Sequence, residues 1–107
     1  MQLRFSIRRE VEDYFKTLKG IIIPIGSMEQ YGPMGLIGTD SICLEVLAVG
    51  ISEKINVIIA PTPQIGMSQD HLSFPGSITL RPRTMIALIK DVILSLTGHE
   101  FTHLFFF

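Results

Sequence analysis

The spacing of apolar residues changes repeatedly along this chain, and each change predicts an element. Ile7, Val11, Phe15 and Leu18 recur at intervals of three and four between Ser6 and Gly20. That period predicts an amphipathic helix over Ser6–Gly20, with Ser6 as N-cap and Gly20 as stop. Ile21–Ile25 is a continuous apolar run, as in a strand covered on both faces. Pro24 falls near its end, where a missing donor does least harm. A second helix is predicted over Asp40–Ile55, with Thr39 or Asp40 at its start, and a second buried strand over Asn56–Pro61. Thr62–Leu80 reads as a long loop with a short strand at Ser77–Leu80. Arg83–Gly98 reads as a third helix and Thr102–Phe107 as a third strand. One helix followed by strand–helix–strand–helix–strand predicts the α/β class. The expected architecture is a partial three-layer α/β/α domain with a parallel sheet, spanning residues 1–107 as a single unit.

Two connections are long for this architecture, where a strand-to-helix link needs about 2–6 residues. The stretch 26–39 leaves the carboxyl end of the first strand, and 61–76 leaves that of the second. In open parallel sheets ligands bind beyond the carboxyl ends of the strands, so both loops are expected at one functional edge.

Composition narrows the function classes. The chain has 107 residues, 9 basic and 10 acidic, for a net charge of −1. No basic stripe supports nucleic-acid binding. Charged residues are only 18% and apolar residues 47%, against a usual charged share of about 25%. That excess predicts apolar surface made for a partner, or for further sequence of the same domain. The lone cysteine, Cys43, excludes an internal disulfide and reads as a small core residue. No apolar run of ~18 residues spans a membrane, and the charged start lacks a signal-peptide pattern. A soluble cytoplasmic protein is the expectation.

The loop "PIGSMEQYGPMGLIGTD" (Pro24–Asp40) holds two acids and no base. Glu29 and residue 31 are two apart, so an extended backbone points them the same way. A Glu-x-His there would offer an oxygen and a nitrogen to one ion, but residue 31 is Tyr. A neutral phenol, with a pKa of ~10, is a poor ligand near neutral pH. Asp40 reads first as a helix N-cap and otherwise as a second metal carboxylate, and Glu29 as a solvated loop acid or a ligand. His71, in "SQDHLSFPGS", is either a hydrogen-bonded loop histidine or a catalytic base. His103 reads as structural within the third strand.

"PIGSMEQYGPMGLIGTD" resembles the signature of the creatininase family of metal-dependent amidohydrolases, P-x-G-S-x-E-Q-H-G-P-x-x-x-x-G-T-D. Pro24, Gly26, Ser27, Glu29, Gln30, Gly32, Pro33, Gly38, Thr39 and Asp40 match it. "SQDHLSFPGSITLRPRT" is similar to a second stretch, S-x-x-H-x-x-FPGT-x-x-L, in the same order. The resemblance implies hydrolysis of a C–N bond in a small cyclic or linear amide, by water held between two divalent ions, zinc or manganese. It implies Glu29 as a ligand of one ion, Asp40 as the bridging carboxylate, Tyr31 at a lost histidine-ligand position, and His71 as a candidate catalytic residue. It points to no substrate-binding residue. The family's remaining ligands lie in a motif of the NGHGGN type that would begin just past Phe107. The chain therefore corresponds to the amino-terminal part of the family domain and keeps two of the five ligand positions. The expectation is a truncated form, inactive by itself, with weak or absent metal binding. The alternatives are a non-catalytic module that docks onto a full-length relative, and a decayed gene product. The apolar end "LFFF" (Leu104–Phe107) is expected to drive self-association or docking.

Overall fold

Ile21, Ile22 and Ile23 form the middle of a sheet and divide their side chains between its two faces. The computed structural model describes residues 1–107, the side chain of Asp70 excepted. Strand β1 (Gly20–Ile23) lies between β2 (Ile58–Ile59) and β3 (His103–Phe106), and both pairings are parallel. The register pairs Ile21 with Ile58 on one side and with Leu104 on the other. Period-two alternation then sorts the core. Ile21, Ile23, Ile58, Ala60 and Phe101 pack against Val11, Tyr14, Phe15, Val92 and Leu96, which belong to or border α1 (Arg8–Tyr14) and α3 (Pro82–Thr97). Ile22 and Ile59 pack on Ala48, Val49 and Ile51 of α2 (Thr39–Ile55). Helices thus cover both faces, and the α/β three-layer arrangement is present.

Tyr14 ties three elements together. Its hydroxyl donates to the Gly20 carbonyl at 2.7 Å and accepts from the Ile58 amide at 3.3 Å. Burial raises its pKa, partly offset by the Ile58 hydrogen bond.

Several boundaries differ from those read in the sequence, each for a local reason. Helix α1 is half the expected length. Ser6 donates its hydroxyl to the Gln2 carbonyl instead of capping, and the Glu10 side chain accepts from the Ile7 amide at the true N-cap. After Tyr14 the amides of Thr17 and Leu18 both bond back to the Tyr14 carbonyl, which turns the chain into β1. Gly20 therefore opens the strand and does not close the helix. β1 stops at Ile23 because Pro24 has no N–H to extend the ladder. β2 is only two residues long because Asn56 is the left-handed cap of α2, with φ 61°. Pro82 takes the first helical position of α3. Ser77–Leu80 is not a strand but contributes two isolated bridges, Ile78 to Met28 and Thr79 to Gly66.

One expectation about burial fails. Cys43 is exposed on α2, because Ser41, Ala48 and Ser52 are the helix residues that face inward. His103 is exposed and stacks on Phe105 with ring centroids 6.5 Å apart, because β3 is an edge strand. Among the described residues, no helix is long and apolar enough to cross a membrane.

Candidate functional site

The chain reverses sides at β1. The loop after β1 leads to α2 on one face of the sheet, and the loop after β2 leads to α3 on the other. Diverging loops at adjacent strands open a crevice at the carboxyl edge. They are also stitched together. Gly26 donates its amide to the Pro63 carbonyl at 2.8 Å, and the Ser41 hydroxyl donates to the carbonyls of Ser27 and Gln64. A Cβ at Gly26 would lie 2.2 Å from the Ser41 oxygen, so only glycine permits this approach. Ile78 donates to Met28 at 2.8 Å, and the Gln30 amide donates to the Ser77 hydroxyl at 2.9 Å.

This stitching brings the expected residues to one place. Asp40, in the first turn of α2, accepts the Ser27 hydroxyl on Oδ2 at 2.9 Å and the Tyr31 hydroxyl on Oδ1 at 3.0 Å. A hydrogen bond with the neighbouring Glu29 carboxyl is the first cause of a lowered Asp40 pKa, followed by Ser27, Tyr31 and the nearby His71. His71, at the end of a 3-10 turn (Gln69–His71) in the second loop, places Nε2 3.6 Å from Glu29 Oε2. Its Nδ1 lies 3.1 Å from the Gln30 side-chain nitrogen. Glu29, Tyr31, Asp40 and His71 thus form one cluster from two loops and a helix end. Asp40 does not cap its helix: no side-chain cap bond is present and Gly38 is the N-cap residue.

Sequence reasoning gave Ser27 and Gln30 no role. Their signals were position, within a few residues of Glu29 in the same loop, and a match to the family signature.

A divalent ion fits this cluster poorly. Both oxygens of Asp40 already accept hydroxyl hydrogen bonds. The phenol of Tyr31 is pushed above its ordinary pKa by the hydrogen bond to Asp40 and by that carboxylate's charge, which makes it a still weaker ligand. Among the described residues no group of three His, Cys, Asp or Glu side chains is arranged to hold a metal. The donor types suit half a site: two carboxylates, with no nitrogen ligand at residue 31.

A parallel three-layer α/β domain with its acids gathered at the carboxyl edge of the central strand is the class this geometry defines. Within that class, the chain belongs to the creatininase family: the family model, described as creatinine amidohydrolase, matches residues 7–107. It is 29% identical over 77 residues to the mycofactocin precursor peptide peptidase of Mycolicibacterium smegmatis, covering 66% of this chain and 31% of that protein. It is 26% identical over 86 residues to the 3-dehydro-scyllo-inosose hydrolase of Thermotoga maritima, covering 79% of this chain and 28% of that one. Creatininase structures in a manganese form and a zinc–zinc form superpose with TM-scores of 0.92 and 0.91. Each is 22% identical, and the match covers 98% of this chain and 43% of theirs. The chain therefore spans less than a third of those two relatives and under half of the creatininase chains.

Proposed function

We propose that this chain carries the Glu29–Asp40 half of a creatininase-type hydrolase edge. It acts in hydrolysis of an amide C–N bond only when ligands from outside these 107 residues complete the site. The observation that carries the reading is the convergence of Glu29, Asp40 and His71 from separate loops, with Asp40 held by Ser27 and Tyr31. The names of the matched proteins support hydrolysis and leave the substrate open. One is a peptidase, one a hydrolase of 3-dehydro-scyllo-inosose, and the structures are creatininases. Manganese and zinc forms of the latter support a divalent ion, zinc or manganese, as the family's cofactor. A two-metal hydrolase needs both ions to activate water and hold the developing oxyanion, so this chain alone is inactive.

The test is complementation. The chain is mixed with the carboxyl-terminal segment of a full-length creatininase, manganese is added, and release of creatine from creatinine is followed. Activity that requires both pieces, and that falls with Asp40→Asn, supports the reading. No activity from the mixture under conditions where the two pieces co-sediment overturns it.

Docking is the second reading, and a specific observation favours it. Phe105, Phe106 and Phe107 are 55%, 44% and 45% exposed at the open sheet edge. Ile42, Val46 and Leu47 are exposed along α2, and a helix apolar on more than one face is ordinarily covered on more than one face. These surfaces suit self-association or docking onto a full-length relative.

A further inference from the structure

Gln30 lies between a backbone amide and the His71 ring, and its two ends are chemically distinguishable. The Gly32 amide, which can only donate, lies 2.7 Å from Gln30 Oε1. That contact requires oxygen at this end of the side-chain amide. The NH2 end is then the one facing His71 Nδ1 at 3.1 Å. An amide nitrogen cannot accept, so Nδ1 must be the bare, accepting nitrogen of the ring. A neutral imidazole has one N–H, so the proton resides on Nε2, the atom 3.6 Å from Glu29 Oε2. That separation is a charge–dipole contact, longer than a hydrogen bond.

We propose that Gln30 is a positioning residue that locks His71 in the Nε2–H tautomer and aims that N–H at Glu29. The direction of the relay is set by Gly32: amide N–H to Gln30 oxygen, Gln30 N–H to His71 Nδ1, His71 N–H toward the Glu29 carboxylate. In this arrangement His71 has no free lone pair with which to take a proton or bind an ion. It acts through Glu29 instead, drawing on Oε2. Carboxylates and histidines that bear on one another in this way orient the group that does the work. The inference deepens the proposed reading of the same edge, but its test contains neither metal nor substrate. Failure of one is therefore separable from failure of the other.

The experiment is long-range proton–nitrogen correlation NMR on the 15N-labelled full chain, at a pH of about 8, above the ordinary histidine pKa of ~6.5. His71 is assigned by loss of its signals in His71→Gln. The expected result is two well-separated ring-nitrogen resonances, bare at Nδ1 and protonated at Nε2. In Gln30→Met, which keeps the side chain's length and removes both polar ends, the two resonances should move toward their mean as the tautomers mix. A wild-type spectrum with the bare nitrogen at Nε2, with both nitrogens protonated, or with averaged resonances overturns the proposal. So does an unchanged His71 pattern in a folded Gln30→Met. Should that variant fail to fold, the wild-type spectrum decides alone.

Discussion

Tyr31→His is the substitution that most directly probes the carboxyl edge. In the native chain the Tyr31 hydroxyl donates to Asp40 Oδ1 at 3.0 Å, so the residue acts as a proton donor where a ligand would present a lone pair. An imidazole reaches roughly 2 Å less far than a phenol, and two ligand atoms on one tetrahedral zinc lie about 3.3 Å apart, from bonds of ~2.0–2.2 Å. An imidazole at residue 31 removes the hydroxyl donor and presents a nitrogen lone pair in its place, with the shorter reach leaving room that a modest shift of the loop toward Asp40 would close around an ion. The donor set becomes Glu29, Asp40 and one nitrogen. The readout is thermal unfolding with manganese or zinc against a chelator control. A ligand that binds only the folded state adds about 2.7 kcal/mol at a hundred times its Kd. Since 1 kcal/mol moves the midpoint of a domain near this size by about 4–8 °C, the variant should gain roughly 10–20 °C at saturating metal. The native chain should gain little at the same concentration. An equal shift in both proteins would show that Tyr31 does not weaken metal binding. No shift in the variant, with its fold retained, would show that Glu29 and Asp40 are not ligand positions.

Three further outcomes are expected. Tyr31→His should release no creatine from creatinine with metal present, because on the proposed reading the chain holds only part of the ligand set; measurable turnover by that single variant would refute the ligand count. The lowered Asp40 pKa contributes stability above the unfolded carboxylate value of about 4, and that contribution is lost as pH falls through the lower folded value. The stability gap between the native chain and Asp40→Asn in urea titrations should accordingly narrow below a pH of about 4, and a constant gap would contradict the assignment. In sedimentation velocity the 107-residue chain should run larger than a monomer and Phe105→Lys should shift it toward one; a native chain that is monomeric at high concentration would rule out association through β3.

The layered fold was legible because burial on two faces leaves a plain mark. Ile21–Ile23 and Ile58–Ala60 are apolar at every position, and every one of them is buried. What was not legible were the ends of elements, where one hydrogen bond outweighs periodicity. Val11 and Phe15 pack on the core, but Leu18 continues their period into a turn and stays exposed. The helix stops at Tyr14, whose side chain is tied to Gly20 and Ile58, contacts 6 and 44 residues away in sequence. Nothing in a local pattern encodes such a tie. Tyr14→Phe would leave the Ile58 amide without its partner in the interior, a loss of about 1–3 kcal/mol. Cys43 misled for a related reason: cysteine's preference for burial says nothing about which side of α2 meets the sheet.

The gathering of the site residues at one edge was legible in the sequence, and the hydrogen bonds among them were not. Glu29, Asp40 and His71 could be placed at one edge because parallel strands send their loops there, whatever the side chains do. The connections among them depend on which atom donates, and residue type alone leaves that open. Tyr31 reads as a lost ligand in the sequence. In three dimensions its hydroxyl satisfies one oxygen of Asp40. Ser27 does the same for the other oxygen. The two hydroxyls allow a partly buried carboxylate to stay ionised without a metal. The same logic separates Asp40 from Glu29. Asp40 has a hydroxyl on each oxygen, whereas Glu29 meets His71 through Oε2. Of the two acids, Asp40 is therefore the one that holds the first loop to the start of α2.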